Sequence, residues 1–308
     1  MSRRALLVTH FGRPDTVEHV GQLAARLEAR GFVLRVLDSE APRLGLVSAE
    51  VIDEVSAATG VEIIIALGGD GTFLRAAELA RPQGTPLLGV KLGRVAFLAE
   101  AEVDTMDQTV NGVADRTYQV DERLTVDVSV SYQGDVLATG WALNEVSVEK
   151  LSRERMLEVL VSVDGRPVSR WGCDGVVCAT PTGSTAYAFS AGGPVVWPEV
   201  EALLLVPISA HALFSRPMVV APTSLLAIDV ARAGEPAVLC CDGRRTVRLP
   251  PGSAVRVRKG LLPVRVVRLQ PKAFTDRLVE KFALPVDGWP GRGGDGRNGR
   301  GGDDEPSG

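Results

Sequence analysis

An aspartate stands among three glycines in residues 68–72, which read Gly-Gly-Asp-Gly-Thr. The preceding residues, 61–67, are apolar and rich in β-branched side chains, which is typical of a strand buried on both faces of a parallel sheet. Good helix formers follow from Thr72 to Ala80. Glycine lets a backbone approach a phosphate closely, and free amides at a helix start attract anions. The pattern indicates a polyphosphate held beside a carboxylate; the alternative is a tight turn capped by Asp70.

A second polar pair, Asn144-Glu145, interrupts an apolar stretch in a region of strand-like segments. An asparagine side chain both donates and accepts, and a carboxylate can accept hydrogen bonds from two hydroxyl groups. The pair therefore suits the diol of a ribose. Taken alone, however, the pair fits a turn or a strand end that faces water better than it fits a ribose site.

The third segment, residues 172–194, contains a predicted strand, a loop of small and hydroxyl residues and a short helix. Serine and threonine near a helix start either cap the helix or bind a polar ligand. Tyr187 offers a flat face for a base or a nicotinamide ring, with a hydroxyl that can stay in water. The density of small and hydroxyl side chains favours a ligand loop over a capped turn with a core tyrosine.

Three common motifs do not fit the sequence. The glycine loop lacks the Gly-Lys-Ser/Thr ending of a Walker A loop and the G-x-G-x-x-G spacing of the dinucleotide fingerprint. Ser184 lies in the string Thr-Gly-Ser-Thr-Ala, which lacks the second glycine of a Gly-x-Ser-x-Gly nucleophile elbow. A serine hydrolase is therefore disfavoured.

The sequence contains no cluster with the ligand spacing of a zinc site. We expect its four cysteines to be free thiols in a reducing cytosol; they are Cys173, Cys178, Cys240 and Cys241. His211 fits a core histidine, a ligand contact or a base, and the core histidine is the default interpretation. A magnesium ion carried by a nucleotide needs only one or two carboxylates and so leaves little trace in a sequence.

Two regions with different periodicity must position these residues. Strand-like and helix-like patterns alternate up to about residue 118, and the helices include one capped by Asp15 and a short one over Ile52, Val55 and Ala58. From residue 121 short strands follow one another, with Gln133-Gly134, Asp164-Gly165 and Asp242-Gly243 as predicted hairpin turns. An amphipathic helix spans 274–282. The prediction is an α/β domain with a parallel sheet (1–120), a β-rich domain (121–270), a C-terminal helix (271–286) and a disordered tail (287–308).

Composition bounds the class of function. The 308 residues are 45% hydrophobic and 23% charged, which fits a globular protein with a sizeable core. The formal net charge of −4 gives no general footprint for nucleic acid or an anionic membrane. Apolar runs are too short to cross a bilayer or to serve as a signal peptide. We therefore expect a cytoplasmic protein with neither nucleic acid nor membrane as a partner.

Taken together, the segments resemble the NAD kinase family. Gly-Gly-Asp-Gly-Thr at 68–72 is shared with diacylglycerol kinases, sphingosine kinases and phosphofructokinases, but Asn144-Glu145, Asp174-Gly175 and residues 180–187 are much more specific in order and spacing. The resemblance covers the chain up to about residue 286. It implies an α/β domain, an all-β domain that binds the dinucleotide, and a C-terminal helix that packs back on the first domain.

The resemblance also implies roles for single residues. Asp70 would accept the proton of the ribose 2′-hydroxyl, and Gly71 would contact the dinucleotide. The amides around Gly68, Gly69, Gly71 and Thr72 would hold the triphosphate. Arg244 occupies the position of a glutamine that contacts NAD in some members. The other residues implied to contact the dinucleotide are Asn144, Glu145, Arg155, Asp174, Thr185, Ala186, Tyr187, Ala188, Phe189 and Ser190.

The activity implied is transfer of the γ-phosphoryl group of ATP to the adenosine ribose of NAD, with Mg²⁺ or another divalent metal accompanying ATP and no fixed protein metal site. Members are homo-oligomers, so a dimer or tetramer is expected. The residues do not distinguish NAD from NADH or ATP from polyphosphate. The alternatives are a lipid kinase of the diacylglycerol or sphingosine type with the same glycine loop, and a dinucleotide-binding module without catalysis.

Overall fold

The computed structural model describes residues 3–12, 15–92, 98–99, 101–102, 105–269 and 273–286. The chain divides into two units, Met1–Pro271, which contains every described strand, and Lys272–Gly308, which contains a C-terminal helix. Among these residues no helix is both long and apolar enough to cross a membrane. The tail expected at 287–308 lies outside the described residues.

The first sheet has helices against both of its faces. Its strands are β1 (Arg3–Thr9), β2 (Phe32–Leu37), β3 (Glu50–Ile52), β4 (Ile63–Gly68), β5 (Leu87–Lys91), β6 (Ala101–Glu102), β7 (Gln119–Arg123) and β20 (Val264–Arg268). The helices are α1 (Thr16–Ala29), α2 (Ala41–Leu44), α3 (Asp70–Ala80) and α4 (Met106–Asp115). Within the described part the order is β3-β2-β1-β4-β5-β20-β7, with β6 paired to β5. Strands β1 to β6 pair in parallel, as the βα alternation predicts.

Hydrophobic spacing explains how the helices pack. Val20, Leu23 and Leu27 recur every three to four residues on α1 and are all buried against one face of the sheet. Phe73 and Ala77 of α3 pack on the opposite face, against β4. Strand β4 between them is buried from Ile63 to Leu67, which explains its unbroken apolar run.

The short helix predicted over Ile52, Val55 and Ala58 is wrong. Glu50–Ile52 forms the edge strand β3, and turns follow it up to Gly60. The side chain of Val55 is 96% exposed, so the three apolar residues do not share a buried face. The Ser56 amide donates to Asp53 Oδ1 at 3.0 Å, a local bond that favours a turn over a helix.

The rest of the first unit is a sandwich of two antiparallel sheets. The strands are β8 (Val126–Tyr132), β9 (Asp135–Ala142), β10 (Glu145–Lys150), β11 (Leu157–Val163), β12 (Arg166–Cys173), β13 (Gly175–Ala179), β14 (Leu203–Ile208), β15 (Met218–Val220), β16 (Leu226–Val230), β17 (Ala237–Cys241), β18 (Arg245–Leu249) and β19 (Ala254–Lys259). In the described part of the chain, one sheet is ordered β15-β14-β13-β10-β17-β18 and the other β12-β11-β16-β19-β8-β9. Alternate residues such as Val126, Val128, Val146 and Val148 point inward and form one core around the fully buried Trp171. The helix α5 (Tyr187–Ser190) follows β13.

The predicted hairpin turns are confirmed. Strands β8 and β9 are joined at Gln133-Gly134, and β11 and β12 at Asp164-Gly165, with positive φ at all four residues. Asp242 and Gly243 also have positive φ between β17 and β18. The first two are two-residue turns, which match the right-handed twist of the flanking strands, whereas the connection from β17 to β18 has three residues.

One strand belongs to a different sheet from the one that the predicted boundaries suggest. Val264–Arg268 lies inside the 121–270 segment, yet it forms β20 of the first sheet, beside β5 and β7. The chain therefore enters and leaves the sandwich through neighbouring strands of the first sheet. The predicted C-terminal helix is confirmed as α6 (Phe274–Phe282); its packing stays a prediction.

Candidate active site

The glycine loop joins β4 to α3. Gly68 has φ of +157°, and a Cβ atom there would overlap the side chain of Thr72, so only glycine fits. The amides of Thr72 and Phe73 both donate to the Gly69 carbonyl, at 3.0 and 3.1 Å. The amides of Asp70 and Gly71 precede these bonds and therefore point out of the helix start, where they attract an anion.

Asp70 is the first residue of α3 and is half-buried. Its Oδ1 accepts a hydrogen bond from the Leu98 amide at 3.0 Å, which orients the carboxylate. Gly69 and Gly71 on either side are exposed, with open space where a Cβ would stand. The loop thus has room for a ligand beside an oriented carboxylate.

The carboxyl ends of three parallel strands meet at this loop. Thr9 pairs with Leu67, and Gly68 pairs with Lys91, so a threonine and a lysine flank the glycines. The Thr9 amide and hydroxyl both donate to the buried Glu40 carboxylate, at 2.9 and 2.8 Å. Sequence reasoning missed Lys91; its place at the end of the strand next to β4 was the available signal.

Antiparallel pairing brings a second group of segments to one end of a sheet. The central strand β10 starts at Glu145, which pairs with Ala179 at the end of β13, while Val146 pairs with Cys241 at the end of β17. The residues that flank these ends therefore cluster around Asn144. Three segments far apart in sequence form one site because two neighbours of one strand run opposite to it.

Asn144 and Glu145 are only 7% and 6% exposed. Asn144 Oδ1 and Glu145 Oε2 have no hydrogen-bond partner among the described residues. The Tyr187 amide donates to the Glu145 carboxylate. Burial, with the nearby Asp242 carboxylate, raises the pKa of Glu145 to about 8. Buried polar atoms rarely stay unpaired, so these two atoms are available to accept hydrogen bonds from a polar partner.

Asp242 holds the backbone of the pair, and sequence reasoning assigned it only to a turn. Its Oδ1 accepts from the Asn144 amide at 2.7 Å, and its Oδ2 from the Leu143 amide at 3.0 Å. Its own amide donates to the Glu145 carbonyl at 3.0 Å. This carboxylate thus fixes the path of the main chain through residues 143–145.

The hydroxyl-rich loop after β13 has a structural part. Thr180 Oγ1 donates to the Leu143 carbonyl at 2.6 Å and accepts from the Gly183 amide at 3.1 Å. The fully buried Ser184 hydroxyl donates to the Val196 carbonyl and accepts from the Val196 amide. Both of its bonding directions are engaged with main chain, as in a loop clamp and not in a nucleophile.

Tyr187 lies along the outer face of the β10 sheet. Glu145, Ser147 and Glu149 alternate with the core valines and so line that face. The Tyr187 hydroxyl donates to Glu149 Oε2 at 3.3 Å, and burial raises the tyrosine pKa to about 12. The ring therefore spans from Glu145 toward Glu149 beside a polar row.

The other residues of the predicted ligand segment differ in exposure. Ala188 is fully buried in a small core with Val177 and Val206. Thr185 is also buried, and its hydroxyl donates to the Thr182 carbonyl at 3.4 Å. Ala186 is half-buried, whereas Phe189 and Ser190 are exposed. Only part of the segment therefore presents side chains to a ligand.

Asp174 and Arg155 are not brought to the Asn144 end. Asp174 precedes β13 and pairs with Lys150 at 2.5 Å, at the far end of β10, and the hydrogen bond from Lys150 lowers its pKa. Five strand residues separate the two ends, roughly 16 Å. The Arg155 guanidinium is exposed and binds Glu235 at 2.8 Å. These two residues fit only a ligand long enough to run along the strand.

The first sheet and the sandwich meet at these two groups. Leu143, the residue before Asn144, is fully buried in the same core cluster as Phe73 and Leu74 of α3. Arg244, two residues after Asp242, donates to Glu78 of α3 at 3.1 Å. The helix that begins with Asp70 is thus packed beside the Asn144 segment.

The remaining candidates for chemistry have structural surroundings. The described residues contain no group of three or more His, Cys, Asp or Glu side chains that could hold a metal ion. The four cysteines are free, as expected. Burial raises the pKa of Cys173 to about 11 and of Cys178 and Cys241 to about 12, so these thiols stay protonated near neutral pH.

Comparison with known proteins gives a consistent result. Residues 7–118 match the model of the ATP-NAD kinase N-terminal domain, and residues 143–269 that of the ATP-NAD kinase C-terminal domain. The chain is 56% identical to NAD kinase 2 of Streptomyces avermitilis over 295 residues, covering 94% of this chain and 97% of that protein. It is 54% identical to NAD kinase of Thermobifida fusca over 301 residues, covering 94% and 92%.

Two solved structures are similar. Yeast NADH kinase complexed with NADH has a TM-score of 0.84 at 21% identity, covering 94% of this chain and 90% of that one, which shows a common fold. An NAD kinase from Archaeoglobus fulgidus in complex with ATP has a TM-score of 0.68 at 28% identity, covering 91% and 97%.

Proposed function

The chain belongs to the NAD kinase family, and from that premise we propose that Asp70 accepts the proton of the substrate hydroxyl that becomes phosphorylated. The protein is a phosphotransferase with an alcohol group as acceptor: it moves the γ-phosphoryl group of ATP to the 2′-hydroxyl of the adenosine ribose of NAD, which gives NADP. The comparisons give no support to a lipid kinase or to a binding module without catalysis.

One observation carries the assignment of the site. Two buried acceptors without a described partner, Asn144 Oδ1 and Glu145 Oε2, follow Leu143, which packs against the helix that begins with Asp70. A ribose diol would satisfy both acceptors, because it supplies two hydroxyl donors. Its 2′-hydroxyl would then be near the Asp70 carboxylate.

The proposed transfer is direct and forms no covalent intermediate with the enzyme. Asp70 accepts a hydrogen bond from the 2′-hydroxyl and takes its proton as the hydroxyl oxygen bonds to the γ-phosphorus. The bond from that phosphorus to the bridging β-phosphate oxygen breaks, and ADP leaves. The Leu98 amide keeps the carboxylate oriented.

On the donor side, the Asp70 and Gly71 amides and the Lys91 ammonium supply positive charge around the triphosphate. The register of β4 and β5 places Lys91 next to Gly68. Gly89, two residues earlier on the same side of β5, lies under Phe73 of α3, so Lys91 belongs to the face that carries α3. A divalent ion bound to the triphosphate, Mg²⁺ by preference, would neutralise charge that develops on the phosphates.

On the acceptor side, we assign the dinucleotide to the outer face of the β10 sheet. Glu145, Tyr187 and Glu149 follow one another along this face, and the exposed part of residues 185–190 borders it. Asp174 and Arg155 lie at the far end, where the second nucleoside of an extended dinucleotide would reach. Arg244 lies beside the Asn144 end.

We also propose self-association and a cytoplasmic location. Leu213 and Phe214 are 111% and 48% exposed on the sandwich, which is unusual for large apolar side chains that follow one another. A second copy of the chain would cover them. The dissolved substrates ATP and NAD are consistent with a cytoplasmic enzyme.

The role of Asp70 is tested with Asp70→Asn, which keeps the shape and removes the proton acceptor. We expect turnover to fall at least ~100-fold while NAD still binds, since a positioned base contributes about that much. Initial rates of NADP formation and NAD titration calorimetry measure both. Near-normal turnover would remove Asp70 from this role; Asp107→Asn, an exposed ion-pair partner of Arg26, serves as the control.

A coupled assay identifies the substrates. The protein is incubated with ATP or inorganic polyphosphate as donor and with NAD or NADH as acceptor, and phosphorylated dinucleotide is measured. We expect product with ATP and NAD. Absence of product in that combination would contradict the assignment, whereas the other three combinations define donor and acceptor range.

A further inference from the structure

The Asp242 carboxylate is 2% exposed and takes no part in the proposed chemistry. It accepts hydrogen bonds from the amides of residues 143 and 144, as described above, and a third from Arg245 Nη2 at 2.9 Å. Burial raises its pKa, while the amides and the guanidinium lower it. A carboxylate held by three donors is a firm anchor for the segment that carries Asn144 and Glu145.

Arg245 connects this anchor to a different part of the molecule. Its guanidinium contacts Asp242 on one side and Glu78 Oε1 on the other, at 3.3 Å. It also stacks over the Trp141 ring, with 4.7 Å from its central carbon to the ring centroid. Only 33% of its side chain is exposed, so its position is restricted by packing as well as by charge.

A second arginine also packs over the Trp141 ring. Arg81, which follows α3 directly, lies 4.4 Å from the ring centroid and binds Asp127 of β8 at 2.8 Å. Three ion pairs thus connect the end of α3 to the sandwich: Arg81–Asp127, Arg244–Glu78 and Arg245–Glu78. We call Glu78, Arg81, Trp141, Asp242 and Arg245 the junction cluster.

Helix α3 connects the junction cluster to Asp70. Glu78 and Asp70 lie on the same helix α3, eight residues apart, which is about 12 Å along the helix axis. At the other end, Asp242 fixes the main chain of Asn144. A continuous series of contacts therefore connects α3, which begins with Asp70, to Asn144 and Glu145.

We propose that Arg245 and Asp242 are positioning residues, which set the distance between Asp70 and the ribose by tying α3 to the Asn144–Glu145 segment. The inference rests on the proposed function, because it assumes that Asp70 is the base and that the pair holds the acceptor sugar. Phosphoryl transfer depends on alignment, and a displacement of about 1 Å can cost ~100-fold in rate.

The test compares Arg245→Met, Glu78→Gln and their double variant in kcat, KM for ATP, NAD dissociation constant and unfolding midpoint. We expect Arg245→Met to lower kcat by ~10-fold or more while NAD affinity and KM for ATP stay within about threefold, because both half-sites persist and only their spacing changes. Glu78→Gln should also lower kcat, and its effect should be less than additive with that of Arg245→Met, because both substitutions remove the Arg245–Glu78 contact while Glu78→Gln also weakens the Arg244–Glu78 pair. Arg245→Lys, which keeps the charge, should recover part of kcat.

Arg256→Met is the matched control. Arg256 pairs with Asp229 at 2.6 Å across two sandwich strands, has a similar exposure of 37% and does not contact residues 143–145. A merely structural role for Arg245 predicts equal losses in both variants, or wild-type kcat in Arg245→Met, or additive effects with Glu78→Gln; each outcome overturns the proposal. If Arg245→Met fails to fold, normal kcat in folded Glu78→Gln overturns it as well.

Asp70→Asn, measured in the same series, separates this inference from the function on which it rests. A normal rate for Asp70→Asn overturns the assigned base, whatever Arg245→Met does. A large loss in Asp70→Asn together with wild-type kcat in Arg245→Met overturns only the positioning role.

Discussion

At the scale of single residues, the most unusual group is the Glu145 carboxyl. It is buried beside Asp242, lies near Glu149 along the strand and accepts one hydrogen bond, from the Tyr187 amide. Its pKa of about 8 means that the neutral acid predominates at neutral pH. A neutral carboxyl both donates and accepts, so Glu145 can bind one sugar hydroxyl in each sense without placing a second negative charge beside Asp242.

This raised pKa makes stability depend on pH. The folded form favours the protonated acid, so the stabilisation is fully present below the ordinary value of 4.5 and is lost as pH rises to about 8. Relative to wild type, Glu145→Gln should therefore gain stability over this range, by roughly 1.4 kcal/mol per pKa unit at most. Urea unfolding at pH 5 and pH 8.5 measures the difference. A difference that is the same at both pH values would contradict the burial effect; Glu201→Gln, which changes an exposed carboxylate, is the control.

At the scale of elements, the loop after β13 packs directly on Asn144. A Cβ atom on Gly183 would overlap the Asn144 carbonyl oxygen and its neighbouring carbons. The loop and the start of β10 also share the Thr180 hydroxyl. Loop and strand therefore cannot move independently, and the loop sets the depth of the acceptor pair.

Gly183→Ala should displace Asn144, because the new methyl group would overlap main-chain atoms, which cannot rotate away as a flexible side chain does. We expect a loss of stability of about 1–3 kcal/mol and at least ~10-fold higher KM for NAD. Gly21→Ala is the matched control, because Gly21 lies in α1 with open space around its Cβ position and should be neutral or slightly stabilising. Thermal unfolding and NAD kinetics measure both; unchanged KM in Gly183→Ala would contradict the shared packing.

The end of β5 permits a test of the donor side. Lys91→Met should raise KM for ATP by roughly tenfold, with KM for NAD little changed, because an ammonium–phosphate bond contributes about 1.5–3 kcal/mol. Lys259→Met, which removes a surface lysine paired with Glu201, should leave both constants unchanged. Equal changes in both constants, or no change in KM for ATP, would remove Lys91 from the donor site.

At the scale of the whole molecule, the sandwich exposes neighbouring apolar side chains at Leu213 and Phe214. The Phe214 carbonyl accepts a bond from the fully buried Trp171 at 3.0 Å, which holds the main chain of this segment at the surface. An ordered segment that presents apolar side chains is suited to association with a second copy.

Sedimentation velocity at micromolar concentration should show an oligomer for the wild type. Leu213→Ser should shift it toward the monomer, because it removes apolar area from the proposed contact. Val136→Ser, at a site on β9 that is 70% exposed, is the control. A monomeric wild type, or an unchanged assembly in Leu213→Ser, would contradict self-association through this segment.

Local features could be predicted from the sequence itself. The glycine loop, the helix after it, the three turns and the Asn144-Glu145 pair all depend on residues that are near one another along the chain. Positive φ, hydrophobic period and helix starts are set by the chain over a few residues. The prediction of a short helix over 52–58 is wrong because three apolar residues fit either a helix or an edge strand, and only pairing with β2 decides between them.

What the tertiary structure decided is which of these local features share a site. Strand order placed β20 in the first sheet, brought Lys91 beside Gly68 and carried Asp174 to the far end of β10. It also assembled Asp242, Arg245 and Glu78 from separate segments. Sequence by itself determined the chemistry available, because residue types and local conformation are properties of short segments. Distances between segments come from sheet pairing and core packing, which involve residues far apart in the chain.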